Sequence, residues 1–518
     1  MKSQRLHIGF WQSTRMLVYF CYHNLLLRIN SFFIHIFYFI SLSFLGFVIL
    51  KVLNRRTAFK PRNIDLFFTS VSASTVSSMS TVEMEVFSNA QLVVITILMF
   101  IGGEVFTSMV ELFLKYWSKI ITTCKSHVGK VASTESKIPI SFPPPLQSIE
   151  SQNDVFSNYK PLTIKYESIN FLGSVVLCYL LIVQIFGVVS ILIYLSIFSS
   201  AKDVLTNKGI NSLTFAVFTI VSTFASCGFV PTNENMIVFK KNSGLLWIIF
   251  PQVLFGNTLF PSCLRFLIWV LGKKIKKQEA KYLLKNTNEV GYPHLLSSVH
   301  SIFLVPTVFG LIFVGFALFS CLEWNSSVLD GLNTYQKVVG VLFQSVNARH
   351  SGESIVDLST IAPAILVLFI VMMYLPPYTS FIPVKDKQNQ INEEKIKKRK
   401  NKTKVSIIAE NLIFSQLGYL VIFIILICIT ERQSLKQDPI NFNVLNITFE
   451  VISAYGNVGF STGYSCERQI KPNPNCVNKW YGFSGKWSDQ GKIILIIVMI
   501  FGRLKKFNMN GGRAWKLI

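Results

Sequence analysis

Four short stretches of the chain share one pattern: FTSVSASTVSS (residues 68–78), FTIVSTFASCG (218–228), LFQSVNARHSG (342–352) and FEVISAYGNVG (449–459). Each begins with Phe or Leu, and three of them carry a serine six residues before their last residue. The third stretch has Val346 at that place, and the first ends in Ser78 where the others end in glycine. Four copies in one register indicate an internal repeat. We call these stretches polar segments 1 to 4, and the last residue of each its end residue.

Each polar segment lies between two apolar stretches. A helix that crosses a bilayer needs about 20 mostly apolar residues. The sequence offers eight candidate spans, two of them short: Ser31–Leu50, Gln91–Trp117, Phe171–Phe198, Gly244–Leu271, Ser298–Phe319, Ile361–Tyr374, Ile407–Ile429 and Lys492–Arg503. The chain is therefore predicted to contain four tandem units, each a membrane helix, a polar segment and a second membrane helix.

The composition agrees with a membrane protein. Of 518 residues, 51% are hydrophobic and only 15% are charged, and the mean hydropathy is +0.46. Soluble domains usually carry about 25% charged residues. The net charge of +24 comes from basic residues that flank the apolar stretches, as in cytosolic loops of membrane proteins. The usual signatures of nucleic-acid binding are missing from the sequence, and no catalytic cluster points to an enzyme.

The polar segments are too polar to face lipid and too short to cross the membrane twice. Irregular backbone survives at membrane depth only where it is buried in protein or lines water. Glycine permits backbone angles that let successive carbonyls point at one axis, where they can replace the water shell of an ion. We therefore predict an all-α membrane protein whose four units have pseudo-four-fold symmetry around one central pore. The alternative is that the segments are ordinary polar turns.

The predicted organisation assigns every part of the chain to a membrane unit, a cytosolic linker or a terminus. The four units are 31–117, 169–272, 295–384 and 407–507. The cytosolic parts are 1–30, 118–168, 273–294, the basic linker 385–406, and 508–518.

The second helix of each unit carries another repeated feature. Gly103-Glu104, Gly256-Asn257 and Gly502-Arg503 place a polar residue after glycine in apolar surroundings, and the third unit has Leu375-Pro376 near that place. Charges within a membrane are costly and usually face a partner or a polar interior. We expect Glu104, Asn257 and Arg503 to line the pore below the filter, with Glu104 and Arg503 close enough to pair. The alternative is that Arg503 extends to the membrane boundary.

Two further groups of residues lie outside the spans. Cys466 and Cys476 are a close pair in a polar loop, and an extracellular position would permit a disulfide, although two free thiols remain an alternative. Four acidic residues are expected near the pore mouth, where they would raise the local cation concentration: Glu83, Glu85, Glu353 and Glu467.

Four longer strings carry a family resemblance over nearly the whole chain: TVSSMSTVEMEVFSN (75–89), STFASCGFVPTNENM (222–236), NARHSGESIVDLS (347–359) and ISAYGNVGFSTGYSCE (452–467). They resemble the plant HKT (high-affinity potassium transporter) branch of the Trk/Ktr/HKT cation transporter superfamily. The resemblance implies four membrane-pore-membrane units around one pore. It also implies that Arg503 matches a basic residue of the last helix that affects conduction.

The resemblance also implies an ion selectivity filter built from the end residues and the two residues before each, with Na⁺ bound there. These twelve residues are Val76, Ser77, Ser78, Ser226, Cys227, Gly228, His350, Ser351, Gly352, Asn457, Val458 and Gly459. In this family, serine at the first end position accompanies sodium selectivity, and glycine there accompanies combined sodium and potassium transport. Ser78 therefore implies a plasma-membrane, channel-like Na⁺ uniporter that serves sodium distribution and salt tolerance. The alternative is a Na⁺/K⁺ symporter or a K⁺ transporter of the same family.

The expected partners follow from the same resemblance. They are Na⁺ with K⁺ as a second candidate ion, membrane lipids, and a second copy of the chain in a homodimer with one pore per subunit. Both termini are expected in the cytosol of a multi-pass protein. No cofactor and no nucleic-acid partner are expected.

Overall fold

The computed structural model describes residues 31–117, 150–275, 277–380, 416–470, 474, 476–480 and 482–508, and only the backbone of 150–163. The predicted N-terminal region 1–30, the linker 385–406, most of linker 118–168 and nearly all of 508–518 lie outside the described residues. Within the described part, the regular structure is helical, apart from one isolated bridge between Tyr464 and Lys479.

Helices follow the predicted order of four units. Unit 1 contains α1 (Ser31–Val52), α2 (Asn63–Ser74), α3 (Asn89–Gly102) and α4 (Glu104–Trp117). Unit 2 contains α5 (Glu150–Ile197), α6 (Ser199–Asn207), α7 (Ser212–Phe224), α8 (Ser243–Gly256) and α9 (Phe260–Lys274). Two helices follow it, α10 (Lys277–Lys285) and α11 (Thr287–Val290). Unit 3 contains α12 (Ser298–Glu323), α13 (Thr334–Asn347) and α14 (Pro363–Tyr374). Unit 4 contains α15 (Gln416–Thr430), α16 (Arg432–Gln437), α17 (Val444–Gly456) and α18 (Asp489–Asn508).

Three described helices are long and apolar enough to cross a membrane: Phe32–Val52 in α1, Ile164–Ile197 in α5 and Ser298–Glu323 in α12. Counting each sharply bent helix pair as one span raises the number to six. The eight predicted spans include shorter helices, because α14 has 12 residues and rises only about 18 Å. Helix α5 begins at Glu150, well inside the region predicted as linker.

The second helices of units 1 and 2 are broken, although the sequence predicted each as one span. The chain bends by 55° between α3 and α4 and by 79° between α8 and α9. The first break follows the pair Gly102-Gly103, and the second follows Gly256-Asn257. Glycine is a poor helix former, and a break at membrane depth is tolerated where protein satisfies the freed backbone groups.

The polar segments form the short helices α2, α7, α13 and α17, followed by non-helical backbone. Asparagine side chains cap three of these helices: Asn211 accepts from Leu213 and Thr214, Asn333 from Gln336, and Asn443 from Asn446. A capping asparagine satisfies backbone N–H groups that the first turn leaves unpaired. These caps fix where each segment helix begins.

The four units contact one another in a closed cycle. The second helix of each unit packs on the segment helix of the next: α3 on α7, α8 on α13, and α14 on α17. Helix α18 of unit 4 then packs on α2 of unit 1. This last contact joins the two units that are farthest apart in sequence.

An ion-pair network holds units 4 and 1 together at one end of that contact. Lys492 of α18, 1% exposed, donates from Nζ to Oδ1 of Asp65 in α2 at 2.7 Å. Arg62 binds the other oxygen of Asp65 at 3.0 Å and reaches Asp489 at 2.9 Å. Since Lys492 is buried, its charge depends on Asp65 for compensation.

The substitution Asp65→Asn should destabilise the protein by about 3 kcal/mol, because it leaves the Lys492 ammonium buried without a counter-charge. The measurement is the melting temperature of the purified, detergent-solubilised protein. Asp489→Asn is the matched control, since its pair with Arg62 is exposed on both sides and such pairs contribute about 0–1 kcal/mol. Equal melting temperatures for the two variants would contradict this account of the seam.

Candidate functional site

Left-handed backbone recurs at fixed places in the polar segments. The end residues Ser78, Gly228, Gly352 and Gly459 have φ values of 55°, 86°, 67° and 100°. In three segments the residue two before the end is left-handed as well: Val76, Ser226 and Asn457, at 58°, 63° and 51°. Left-handed angles are strained for residues other than glycine. Their repetition indicates that the segments adopt one shared, specified conformation.

Backbone hydrogen bonds turn each segment back after its helix. The N–H of Ser77 donates to the carbonyl of Ser72 at 2.8 Å. Two other segments repeat this bond in the same register, from Cys227 to Ser222 at 2.8 Å and from Val458 to Ser453 at 3.0 Å. Segment 3 differs, because its N–H donor is Gly352, which reaches Asn347 at 3.2 Å. It is also the segment with Val346 at the common serine position.

The end residues lie against one another around a common point. A Cβ added to Gly228 would overlap the carbonyl oxygen of Ser351. A Cβ added to Gly352 would lie 2.6 Å from the carbonyl carbon of Gly459, and one added to Gly459 would lie 2.7 Å from Oγ of Ser78. Each glycine therefore abuts the segment of the next unit, from unit 2 to 3, 3 to 4, and 4 to 1.

Main-chain oxygens of the residues before the end positions point into the same region. The carbonyl oxygens of Ser351 and Val458 lie against Gly228 and Gly352, and that of Cys227 would be 3.2 Å from a Cβ on Gly459. The one side chain at an end position is that of Ser78, whose Cβ and Oγ occupy the space beside Gly459. The site thus combines converging carbonyls with a single intruding side chain.

Side chains behind the segments hold them in place. Asn457 donates from Nδ2 to Oγ of Ser77 at 2.6 Å and so joins segments 4 and 1. His350 is buried, with Nδ1 2.7 Å from the carbonyl oxygen of Val346 and Nε2 2.7 Å from Oγ1 of Thr258. Both nitrogens of His350 have protein partners, which makes this histidine a support of segment 3.

The acidic residues expected at the mouth lie in different surroundings. Glu353 is completely buried next to Gly352 and accepts a hydrogen bond from the hydroxyl of Thr223, so its placement at an open mouth was wrong. Glu467 is exposed and Glu83 is half-buried. The hydrogen bond from Thr223 instead makes Glu353 a link between segments 2 and 3.

Glu85 belongs to a charged cluster that joins the loops of units 1 and 2. Lys208 donates to Glu85 at 2.5 Å and to Glu234 at 2.7 Å. Partial burial acts to lower the pKa of Lys208, but the hydrogen bonds to Glu234 and Glu85 outweigh it and raise that pKa. Glu85 is therefore largely neutralised by Lys208 and contributes less negative potential at the mouth than its charge alone predicts.

The glycines of the second helices repeat in a register that differs by one residue from the expected one. A Cβ on Gly102, Gly256 or Gly502 would overlap the carbonyl oxygen of Ser74, Phe224 or Tyr455, each four residues before an end residue. Gly102, and not Gly103, is thus the equivalent of Gly256 and Gly502. Glu104 lies one residue beyond the place that corresponds to Asn257 and Arg503.

Arg503 lies buried where α3 breaks. It is 1% exposed, donates from Nη2 to the carbonyl oxygen of Gly102, and has Nη1 3.8 Å from Oε2 of Glu104. Its guanidinium carbon also lies 5.6 Å from the ring centre of Phe39. The alternative of an arginine extended to the membrane boundary is wrong, because these contacts hold the side chain inside the protein. Asn257 is half-buried at the break between α8 and α9.

The sequence reasoning missed Arg349 of segment 3. This buried guanidinium donates from Nη2 to the carbonyl oxygens of Pro376 at 2.7 Å and Pro377 at 3.2 Å. These carbonyls follow the end of α14, so Arg349 satisfies a helix end in unit 3 as Arg503 does in unit 1. A charged residue within a segment at membrane depth was the available signal.

Cys466 and Cys476 form a disulfide, with their Cα atoms 5.9 Å apart. The bridge closes the loop between segment 4 and α18, which also contains the Tyr464–Lys479 bridge. Both features order the part of unit 4 that leads from the segment to its last helix.

A family model described as TrkH, cation transport protein, matches residues 162–510. The cation transporter HKT1;3 of Oryza sativa subsp. japonica is 50% identical over 514 residues, which cover 96% of this chain and 92% of that protein. The sodium transporter HKT1 of Arabidopsis thaliana is 52% identical over 473 residues, which cover 90% of this chain and 91% of that protein.

Among solved structures, the potassium transporter TrkH from Vibrio parahaemolyticus aligns with a TM-score of 0.49 and 14% identity, covering 94% of this chain and 85% of that one. The family assignment rests on the sequence comparisons, which extend over nearly the full length of both plant proteins. The chain is an integral membrane protein of the plant HKT branch of the TrkH family of cation transport proteins.

Proposed function

We propose that this cation transporter is selective for sodium and lets Na⁺ move passively, as a uniporter, through a filter formed by the four polar segments. The observation that carries the proposal is the meeting of Ser78, Gly228, Gly352 and Gly459 at one point. The twelve predicted filter residues end in these four positions, and their carbonyl oxygens would replace the hydration shell of the ion.

The orientation of the segment helices favours a cation at this point. The carboxyl ends of α2, α7, α13 and α17 lead directly into the end residues. A helix carries a partial negative charge at its carboxyl end, so four such ends attract a cation without a full charge in the filter. The helix ends and the carbonyls therefore act in the same direction.

The selectivity for sodium over potassium rests on Ser78. Its side chain occupies the space beside Gly459, which narrows the ring on one side and favours the smaller ion. The printed name of the Arabidopsis relative, a sodium transporter, supports the same choice. Coupled Na⁺/K⁺ transport and K⁺ transport remain the competing functions, and the ratio of the two fluxes in proteoliposomes separates them from uniport.

The pathway below the filter is proposed to pass Glu104, Asn257 and Arg503, which lie at or next to helix breaks. We further propose the plasma membrane as the site of action, cytosolic termini, and a homodimer with one pore per subunit. The basic linker 385–406 supports the cytosolic side by the positive-inside rule.

Replacing Ser78 with Gly should admit potassium, because it removes the side chain beside Gly459. Ser78→Ala is the matched control: it keeps the Cβ that fills this space and removes only the hydroxyl, so it should retain sodium preference. The measurement is the reversal potential in sodium, potassium and mixed baths by two-electrode voltage clamp, with surface expression determined in parallel. A Ser78→Gly variant with an unchanged reversal potential in mixed baths would refute the selectivity role of Ser78.

The substitution Gly228→Ala should reduce the sodium current at least about tenfold, since its Cβ would overlap the carbonyl of Ser351 and its left-handed φ is strained for alanine. Gly331→Ala controls for strain alone, because Gly331 is left-handed at φ 75° with open space around it. Its current should stay close to that of the unchanged protein. Similar currents from both variants at equal surface expression would show that Gly228 does not lie at the constriction.

A further inference from the structure

A basic cleft lies at the far end of the second helix of unit 2, away from the proposed filter. It has a volume of about 410 Å³, and helices α9 and α10 form its walls. The lining residues are Trp269, Gly272, Lys273, Ala280, Lys281, Leu284 and Lys285. Three lysines from two helices thus converge on one concave surface.

The cleft is a fixed feature because its two helices pack closely. A Cβ added to Gly272 of α9 would lie 2.5 Å from Cβ of Ala280 in α10, so only glycine permits this approach. Ala280 and Leu283 are buried in the core shared with α5, which anchors α10. The opposite face of α10 then presents Lys281 and Lys285, both exposed.

The positive charge of this cleft is not neutralised by the described part of the protein. In the described ranges, no carboxylate lies within ion-pair distance of Lys273, Lys281 or Lys285. Lys273 instead lies over the ring of Trp269, with Nζ 3.7 Å from the ring centre. The stretch 271–285 contains six lysines and a single acidic residue.

The surroundings of the cleft are typical of a membrane boundary. Helix α9 completes the bent span that begins with α8. Its outer face exposes Phe266 and Trp269 at 60% and 47%, and Ile275 after its end is 71% exposed. Large exposed apolar side chains beside lysines suit the interface, where tryptophan sits at headgroup level.

We propose that this cleft binds the headgroup of an anionic phospholipid in the cytosolic leaflet. The lysines contact the phosphate as point charges, while Phe266 and Ile275 lie along the acyl chains. The apolar neighbours select a lipid over a free phosphate ion, which would bury none of them. Clusters of lysine directly cytosolic of a span bind anionic lipid.

A bound lipid would fix the inner half of the second helix of unit 2. Helix α9 begins just after the break at Asn257, so it is connected to α8 only through this bend. A headgroup held between α9 and α10 adds a contact that keeps the angle between the two halves.

The test is native mass spectrometry of the full chain titrated with phosphatidylglycerol, phosphatidylcholine of the same acyl chains, and soluble glycerol phosphate. The triple variant Lys273→Gln, Lys281→Gln, Lys285→Gln should bind phosphatidylglycerol at least about tenfold more weakly, because each juxtamembrane lysine increases affinity roughly five-fold. Phosphatidylcholine and glycerol phosphate should bind weakly to every variant.

Two control variants remove the same number of charges elsewhere. Lys202→Gln, Lys241→Gln, Lys436→Gln changes exposed lysines outside the cleft, and Lys395→Gln, Lys397→Gln, Lys398→Gln changes the basic linker. Both should retain phosphatidylglycerol binding. The proposal is overturned if the cleft variant binds unchanged, if only the linker variant loses binding, or if glycerol phosphate binds as tightly as the lipid. Should the triple variant fail to fold, Lys281→Gln alone must still weaken binding several-fold.

Discussion

The close approach of backbone to backbone at the end residues is the constraint on which the rest of the structure depends. Three of the four positions have no room for a Cβ, since one there would meet the main chain of the next unit. Such contact requires each segment helix to stop at the right residue and each segment to turn through left-handed angles. The asparagine caps, the repeated turn hydrogen bonds and the side chains of Asn457 and His350 all maintain this arrangement.

The breaks in the second helices follow from the same packing, and they create a second requirement. Gly102 and Gly256 allow the second helices to reach the carboxyl ends of the segment helices, but a broken helix frees carbonyls at membrane depth, where water is scarce. Arg503 donates to the freed carbonyl of Gly102, and Arg349 donates to those of Pro376 and Pro377. Two guanidiniums inside the membrane domain are therefore explained first by backbone satisfaction.

The sequence was sufficient for the helical membrane fold and for the family, because apolar length and the repeated segments are local signals. It was insufficient where the structure depends on contacts between distant residues. The equivalence of Gly102 with Gly256 and Gly502 is visible only from their contacts with segment helices, so the sequence placed it one residue too far along. The partners of Arg349 lie 27 and 28 residues away, and the burial of Glu353 depends on Thr223 of another unit. The helical start of α5 at Glu150 lies in a polar stretch with no apolar periodicity to announce it.

The placement of charge reflects which units are not joined by the chain. Units 1 and 2, 2 and 3, and 3 and 4 are covalently connected, whereas units 4 and 1 meet only through space. Two of the most deeply buried cations in the described structure, Lys492 and Arg503 at 1% exposure, both lie at this junction and bind acceptors of unit 1. Asn457 adds a hydrogen bond to Ser77 between them. A buried cation is costly without its acceptor, so these contacts penalise any arrangement in which the cycle is open. Because Ser78 meets Gly459 at this same junction, the side chain proposed to set ion selectivity lies where the ring is most firmly closed.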